Sequence, residues 1–344
     1  MENNKIIQGD CLEVNDIIKS GSVDLIICDL PYGIMQPNHN GICYKKMYKD
    51  NLKWDYAIEP KLIYNIAKRI LRKNGKMVLF GQEPYVSKLI TNSTPSVPYS
   101  FKMIWKKDTF GSHLKCNIAP LGYFEEILVF NKPSPKLDFN KMNPLREIML
   151  KYVEKYGKNY IINLFIEEGR YTSNESARVH ASYKFGFGNG CRIDLMTESL
   201  FNYLRDFIKF NHTYQELSLI YNAYHEKEKE KLNLKYPSTF NLWEGKKFKS
   251  NILEYKKDYE GLHPTQKPIA LIEDLVRTFS NENDLVVDLT AGSGTVGVAC
   301  EKANRNYILI EKEPKYVDIA RKRIQEFKNS QTDSLFGNTA VNSI

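Results

Sequence analysis

Leu285-Val286-Val287-Asp288-Leu289-Thr290-Ala291-Gly292-Ser293-Gly294-Thr295-Val296-Gly297 decides the fold. Apolar strand formers stop on an acid, a glycine turn follows, and Thr295 to Ala303 has helical spacing. Glycines let a ligand approach the backbone closely, and the helix N-terminus they open favours negative charge. About twenty residues on, Tyr307-Ile308-Leu309-Ile310-Glu311 reads as a second strand ending in an acid. In the dinucleotide fold an acid at that distance takes two ribose hydroxyls. Gly292, Gly294 and Gly297 also match the nicotinamide fingerprint, so a dehydrogenase is the first rival reading. Two features count against it. Asp288 stands four residues before the glycines, where it suits a cationic ligand better than a pyrophosphate. Only about thirty residues follow Glu311, so no second nucleotide-binding half is expected.

Working outward, the same grammar appears near the start of the chain. Val23-Asp24-Leu25-Ile26-Ile27-Cys28 reads as a buried strand that runs into Asp29-Leu30-Pro31-Tyr32-Gly33. Such a strand end delivers a carboxylate, a backbone carbonyl and an aromatic face to one point. Around it the spacing predicts strands at 5–8, 76–80, 101–105 and 126–130, and helices at 11–19, 62–71 and 85–92. Lys73-Asn74-Gly75 reads as the C-cap that ends the second helix. Residues 33–56 show no period and read as a long loop. After Asn131-Lys132-Pro133-Ser134-Pro135 the strand pattern gives way to helical spacing at 145–153, 160–166, 195–210 and 217–224. Alternating strands and helices resume after residue 250.

The expected fold class is therefore α/β: a Rossmann-like sheet interrupted by a mostly helical inserted domain. The expected boundaries are 1–133, 134–250 and 251–330, with 331–344 a frayed polar tail. A net charge of +8, from 49 basic and 41 acidic side chains, fits a polyanionic partner but does not demand one. The six cysteines form no CxxC pair, so neither a metal site nor a disulfide framework is expected, and Cys28 and Cys300 read as small core residues. No apolar run is long enough to span a bilayer, which makes a membrane partner unexpected and a reducing cytoplasm the default compartment.

One further motif, His263-Pro264-Thr265-Gln266-Lys267-Pro268, lies just ahead of the glycine unit. Together with Asp29 to Tyr32 and Asp288 to Thr295, it resembles the amino-group DNA methyltransferases that use S-adenosylmethionine. The order, with catalytic motif first, variable domain in the middle and donor motif last, is similar to the β group of N6-adenine and N4-cytosine enzymes. The resemblance covers roughly residues 5–133 and 251–328. It implies that Asp288, Ala291, Gly292, Gly294 and Thr295 hold the methionine part of the donor and Glu311 the ribose. It implies that Asp10 meets the donor's adenine amino group with the Cys11 backbone beside it, and that His263, Thr265 and Lys267 line the methionine end. It implies that Phe124, in Tyr123-Phe124-Glu125-Glu126, is the ring presented to the target base. Three positions depart from the family pattern. Leu289-Thr290 stand where Pro-Phe is usual, which puts the packing there in doubt, and Leu30 replaces a common proline.

The resemblance also implies a mechanism. An exocyclic amino group is a poor nucleophile because its lone pair is conjugated with the ring. The Asp29 carboxylate and the Leu30 carbonyl would accept its two hydrogens, Pro31 would fix the turn, and Tyr32 would stack on a base taken out of the duplex. Asp in place of Ser at 29 leans towards adenine N6 by family habit, with cytosine N4 as the alternative. A non-catalytic DNA-binding protein on the same scaffold, and an enzyme acting on RNA or on protein glutamine, are further alternatives. Expected DNA contacts are Lys45 and Lys46 after the catalytic turn, and Arg178, Lys184 and Arg192 around Phe185-Gly186-Phe187-Gly188. Core packing is an equal reading for Tyr183, Phe185 and Phe187. A cognate restriction endonuclease and a homodimer are left open as partners.

Overall fold

The computed structural model describes residues 4–33, 56–111, 117, 120–134, 143–188, 192–237, 239–258 and 266–337. It divides into two units, Met1–Ser134 with Ser238–Ile344, and Pro135–Pro237.

The first unit is built on an eight-stranded sheet. Its elements are β1 (Lys5–Gln8), α1 (Cys11–Val14), β2 (Val23–Cys28), α2 (Pro60–Ile70), β3 (Leu71–Gly81), α3 (Tyr85–Thr91), β4 (Tyr99–Gly111) and β5 (Gly122–Asn131). The second unit contributes α4 (Pro144–Tyr156), α5 (Lys158–Glu167), α6 (Asn174–Phe185), α7 (Glu198–Arg205) and α8 (Tyr214–Lys235). The chain then returns with β6 (Ile252–Glu254), α9 (Ile269–Phe279), β7 (Leu285–Asp288), α10 (Thr295–Ala303), β8 (Asn306–Glu311) and α11 (Pro314–Gly337).

The strand order is β1-β8-β7-β2-β3-β5-β4-β6. Neighbours pair in parallel except on either side of β5, which runs against β3 and β4. Strand side chains alternate between faces, and β2 shows it cleanly. Ile26 and Cys28 enter a core with α2, while Leu25 and Ile27 enter the opposite core with α9 and α10. Each fully buried Leu or Ile contributes about 1.5–3 kcal/mol, so the two layers fix the register of β2. From β7 the chain crosses through α10 to β8 on one side; from β2 it crosses through α2 to β3 on the other. Adjacent strands whose connections leave in opposite directions open a crevice at their carboxyl ends. Asp288 ends β7, and Asp29 follows β2 directly.

Several expectations are corrected. The first helix is one turn, Cys11–Val14, continued by a 3-10 turn at Asn15–Ile17. Lys73-Asn74-Gly75 does not cap α2, which ends at Ile70 and passes straight into β3. Asn74 instead has φ of 63° inside β3, where the pairing with β2 shifts register between Val23 and Leu25. The edge strand β6 and the helix α6 carry too little periodic signal to read, and the helix expected over 195–210 is confined to Glu198–Arg205. Helix α11 continues to Gly337 through residues expected to fray. Residues 239–250, placed in the insertion by sequence, bond to α9 and its C-terminal turn. The Asn241 side chain donates to the Arg277 and Ser280 carbonyls, and Trp243 Nε1 donates to Asp274 at 2.8 Å. The second unit has its own core, which includes Leu145, Phe165, Phe185 and Leu204.

Candidate active site

A cavity of about 440 Å³ opens at the carboxyl ends of β2, β7, β8 and β1. Its wall includes Asp10, Cys11, Asp29, Pro31, Lys267, Asp288, Ala291, Gly292, Thr295 and Glu311. These residues come from four strand ends and the segment before α9, so folding alone brings the sequence motifs together.

The glycine turn is held by backbone geometry and by two charged side chains. Gly294 caps α10 with φ of 79°, and a Cβ there would lie 2.7 Å from the Ala320 side chain. Glu311 accepts from the Gly292 N–H at 2.7 Å and from the Glu313 N–H at 2.8 Å. Burial raises the Glu311 carboxyl, and the backbone donors oppose it. Arg323 of α11 donates to the Thr295 hydroxyl at 2.9 Å and to the Ser293 hydroxyl at 3.3 Å, bracing the turn from behind. Asp288, 4% exposed, accepts from the Thr290 N–H at 3.0 Å; burial pushes its carboxyl up to about 7. Asp10 caps α1 by accepting from the Leu12 N–H at 2.9 Å. Burial pushes its carboxyl up, but the Leu12 N–H and the Lys312 ammonium outweigh that and hold it down.

The turn after β2 is tied to the same crevice. Thr290 Oγ donates to the Asp29 carbonyl at 3.1 Å, and the Leu289 N–H donates to Cys28 Sγ at 3.2 Å. Both Asp29 carboxylate oxygens are engaged, Oδ1 by the Tyr32 phenol at 2.5 Å and Oδ2 by Lys267 Nζ at 2.5 Å. Lys267 also lies 3.3 Å from Glu125 and 5.2 Å from the centre of the Phe80 ring. Burial raises the Asp29 carboxyl, with Lys267 pulling it back; the two carboxylates beside Lys267 raise that ammonium against its own burial.

With this geometry in hand, a family model described as DNA methylase, covering N6 and N4 methyltransferases, matches residues 23–322. The chain belongs to that family. It is 24% identical to the DNA adenine methyltransferase YhdJ of Escherichia coli K12, over 97% of this chain and 87% of that protein. A stretch of 79 residues is 44% identical to the type II methyltransferase M.HinfI of Haemophilus influenzae, covering 22% of each chain. The solved complex of M1.HpyAVI with SAM aligns with 93% of this chain and 98% of its own, at 19% identity and a TM-score of 0.49.

Within this DNA methylase fold, not every residue named from sequence reaches the cavity. Leu30 is buried beside it at 2% exposure, and Tyr32 packs partly against the α2 core with its phenol on Asp29. Gly294 lies behind the wall, where it lets α11 approach. Phe124 is 54% exposed on β5 and does not line the cavity; the next residue, Glu125, is the one turned towards Asp29 and Lys267. Lys267 itself is found against Asp29, and not only along a donor wall. His263, Thr265, Lys45 and Lys46 lie outside the described residues. In the second unit Arg178 is exposed, but Lys184 donates to the Leu195 carbonyl at 3.0 Å. Arg192 pairs with Asp194 at 2.8 Å and covers the Tyr183 ring at 4.6 Å. Phe185 is core, and Phe187 packs against it.

Sequence reasoning missed Thr290, Glu125, Gln82 and Arg323. For Thr290 a signal existed: a hydroxyl residue where the family carries Phe, two positions beyond the strand, can reach the carbonyl that follows a neighbouring strand. Among the described residues no cluster of three His, Cys, Asp or Glu could hold a metal, and no helix is long and apolar enough to cross a membrane.

Proposed function

We propose that the protein methylates the N6 amino group of adenine in DNA, with S-adenosylmethionine as donor and the base turned out of the duplex. The observation that carries the reading is the meeting of Asp29 and the Asp288–Thr295 turn on one cavity. The cavity volume is in the range that takes a small organic ligand, and its donors and acceptors suit the two ends of this one. Asp288 would take the methionine ammonium, Glu311 the ribose hydroxyls, and the wall at Asp10 and Cys11 the adenine ring. When bound, the donor supplies an electrophilic methyl carbon on a sulfonium.

The residues on the opposite side act on the incoming base. Asp29 and the Leu30 carbonyl accept the two amino hydrogens, which localises the nitrogen lone pair and disperses the positive charge that develops on attack. Preorganised groups of this kind contribute on the order of several kcal/mol to a reaction barrier. Pro31 fixes the turn, Tyr32 offers a ring for stacking, and Phe124 remains exposed for a base or strand to cover. Adenine is favoured by the aspartate at 29 and by similarity along nearly the whole chain to a relative named for adenine. Sequence choice would then lie with the helical second unit, where Arg178 is an exposed cation on α6.

The test is methyl transfer from labelled donor to DNA by the purified protein and by Asp29→Ala. Donor affinity should survive in the variant, and transfer should fall by at least about a hundredfold, the loss seen when one transition-state donor is removed. Full activity in Asp29→Ala overturns the mechanism.

A further inference from the structure

We propose that Lys267 and Glu125 are positioning residues of the transfer step, Lys267 holding Asp29 as an oriented anion and Glu125 holding Lys267. This deepens the functional reading above and rests on it. Four charges of alternating sign run inward from the crevice. Asp29 meets Lys267 at 2.5 Å, Lys267 meets Glu125 at 3.3 Å, and Glu125 meets Lys107 at 2.8 Å. Gln82 Nε2 donates to the same Glu125 oxygen at 3.3 Å. The four side chains are between 7% and 21% exposed. Buried ion pairs seldom stabilise a fold beyond what apolar residues of similar volume would contribute. A chain of four, ending on the carboxylate that faces the substrate, points to chemistry.

The need for it follows from the polarity of the reaction. Asp29 must accept a hydrogen from the amino group. If protonated, it would present a hydroxyl and compete with the attack. The groups facing Asp29 are Lys267, the Tyr32 phenol, Glu125 and, across the crevice, Asp288. Lys267 is the cation among them, so it counters both the burial of Asp29 and the two neighbouring acids. Alone, its own burial would favour the neutral amine. Asp29 and Glu125, with the face of Phe80, keep it charged, and Lys107 balances Glu125.

The two substitutions have opposite signs. Lys267→Met removes a positive charge from Asp29, so the acid limb of the single-turnover rate moves up, by about one to three pH units. Glu125→Gln removes a negative charge, so the limb moves down while the rate at its plateau falls, because Lys267 loses its anchor. Lys267→Arg restores most of the rate. Donor affinity, titrated without DNA, stays within a few-fold in Glu125→Gln, and any loss of it in Lys267→Met is smaller than the loss of rate.

The experiment is the pH profile of single-turnover methylation for the whole protein and these variants, alongside donor titrations. An unmoved acid limb in Lys267→Met, or limbs that shift the same way in both variants, overturns the proposal. So does a loss of donor affinity that accounts for the whole rate loss in Lys267→Met. Wild-type protein that transfers no methyl to DNA contradicts the functional reading and leaves the charge chain to a separate measurement. That measurement is a denaturation cycle of Asp29→Asn, Lys267→Met and the double variant. Midpoint shifts smaller in the double than the sum of the singles support the chain; additive shifts overturn it.

Discussion

Asp288 would join the proposed donor site to solution pH. Its carboxyl is pushed up to about 7 by burial, ahead of the opposing Thr290 N–H. The ionised form is the one that attracts a cationic amine, so donor affinity should rise as pH climbs through about 7 and level off above it. Below that the loss should approach about tenfold per pH unit, one proton per site. Calorimetric titration of the donor from pH 5.5 to 8.5 measures this, and Asp288→Asn should bind weakly with a flat profile. Thr290 allows a second residue-scale expectation. Its hydroxyl holds the Asp29 carbonyl, a contact that phenylalanine, the residue usual in the family, could not make. Thr290→Val should lose about 1 kcal/mol of positioning, roughly fivefold in transfer rate, with donor affinity intact. An unchanged rate would show that the turn after β2 is fixed without it.

At the scale of elements, the glycine turn before α10 depends on how closely α11 approaches it. A Cβ at Gly294 would meet Ala320 at 2.7 Å, on a backbone already in the left-handed region. Gly294→Ala should therefore destabilise the protein by about 2–4 kcal/mol, read as a lower denaturation midpoint. How far these elements were legible in sequence follows from their local chemistry. Helix α10 could be bounded from sequence because its apolar spacing is strong and a glycine turn marks its start. Lys73-Asn74-Gly75 misled because a left-handed Asn serves a strand kink as well as a helix end. Helix α6 has a buried stripe of Ala177, Ala181 and Phe185, too small and sparse to stand out. Strand β6 is three residues with only Leu253 buried.

For the molecule as a whole, the motif order indicated a sheet interrupted by an insertion, and the donor turn and the Asp29 turn do share one cavity. The charge chain was not legible. Lys267 stands 238 residues from Asp29, and Glu125 is one of two adjacent acids on β5, with no period or spacing to say which turns towards Lys267. Only the sheet order, which brings β2, β3 and β5 together, makes them neighbours. Net charge of +8 and a polyanionic substrate set a further expectation. DNA affinity should fall linearly with the logarithm of salt concentration, with a slope of about −0.9 per phosphate neutralised. Arg178→Ala should make that slope shallower by roughly one if Arg178 meets a phosphate, measured by fluorescence anisotropy across a salt series.

The most direct test of the central claim is the identity of the modified base. DNA incubated with the purified protein and methyl-labelled donor is digested to nucleosides and resolved by mass spectrometry. Label is expected in N6-methyladenine and is expected to be absent from the Asp29→Ala reaction. Label in N4-methylcytosine, or none in DNA, would contradict the claim.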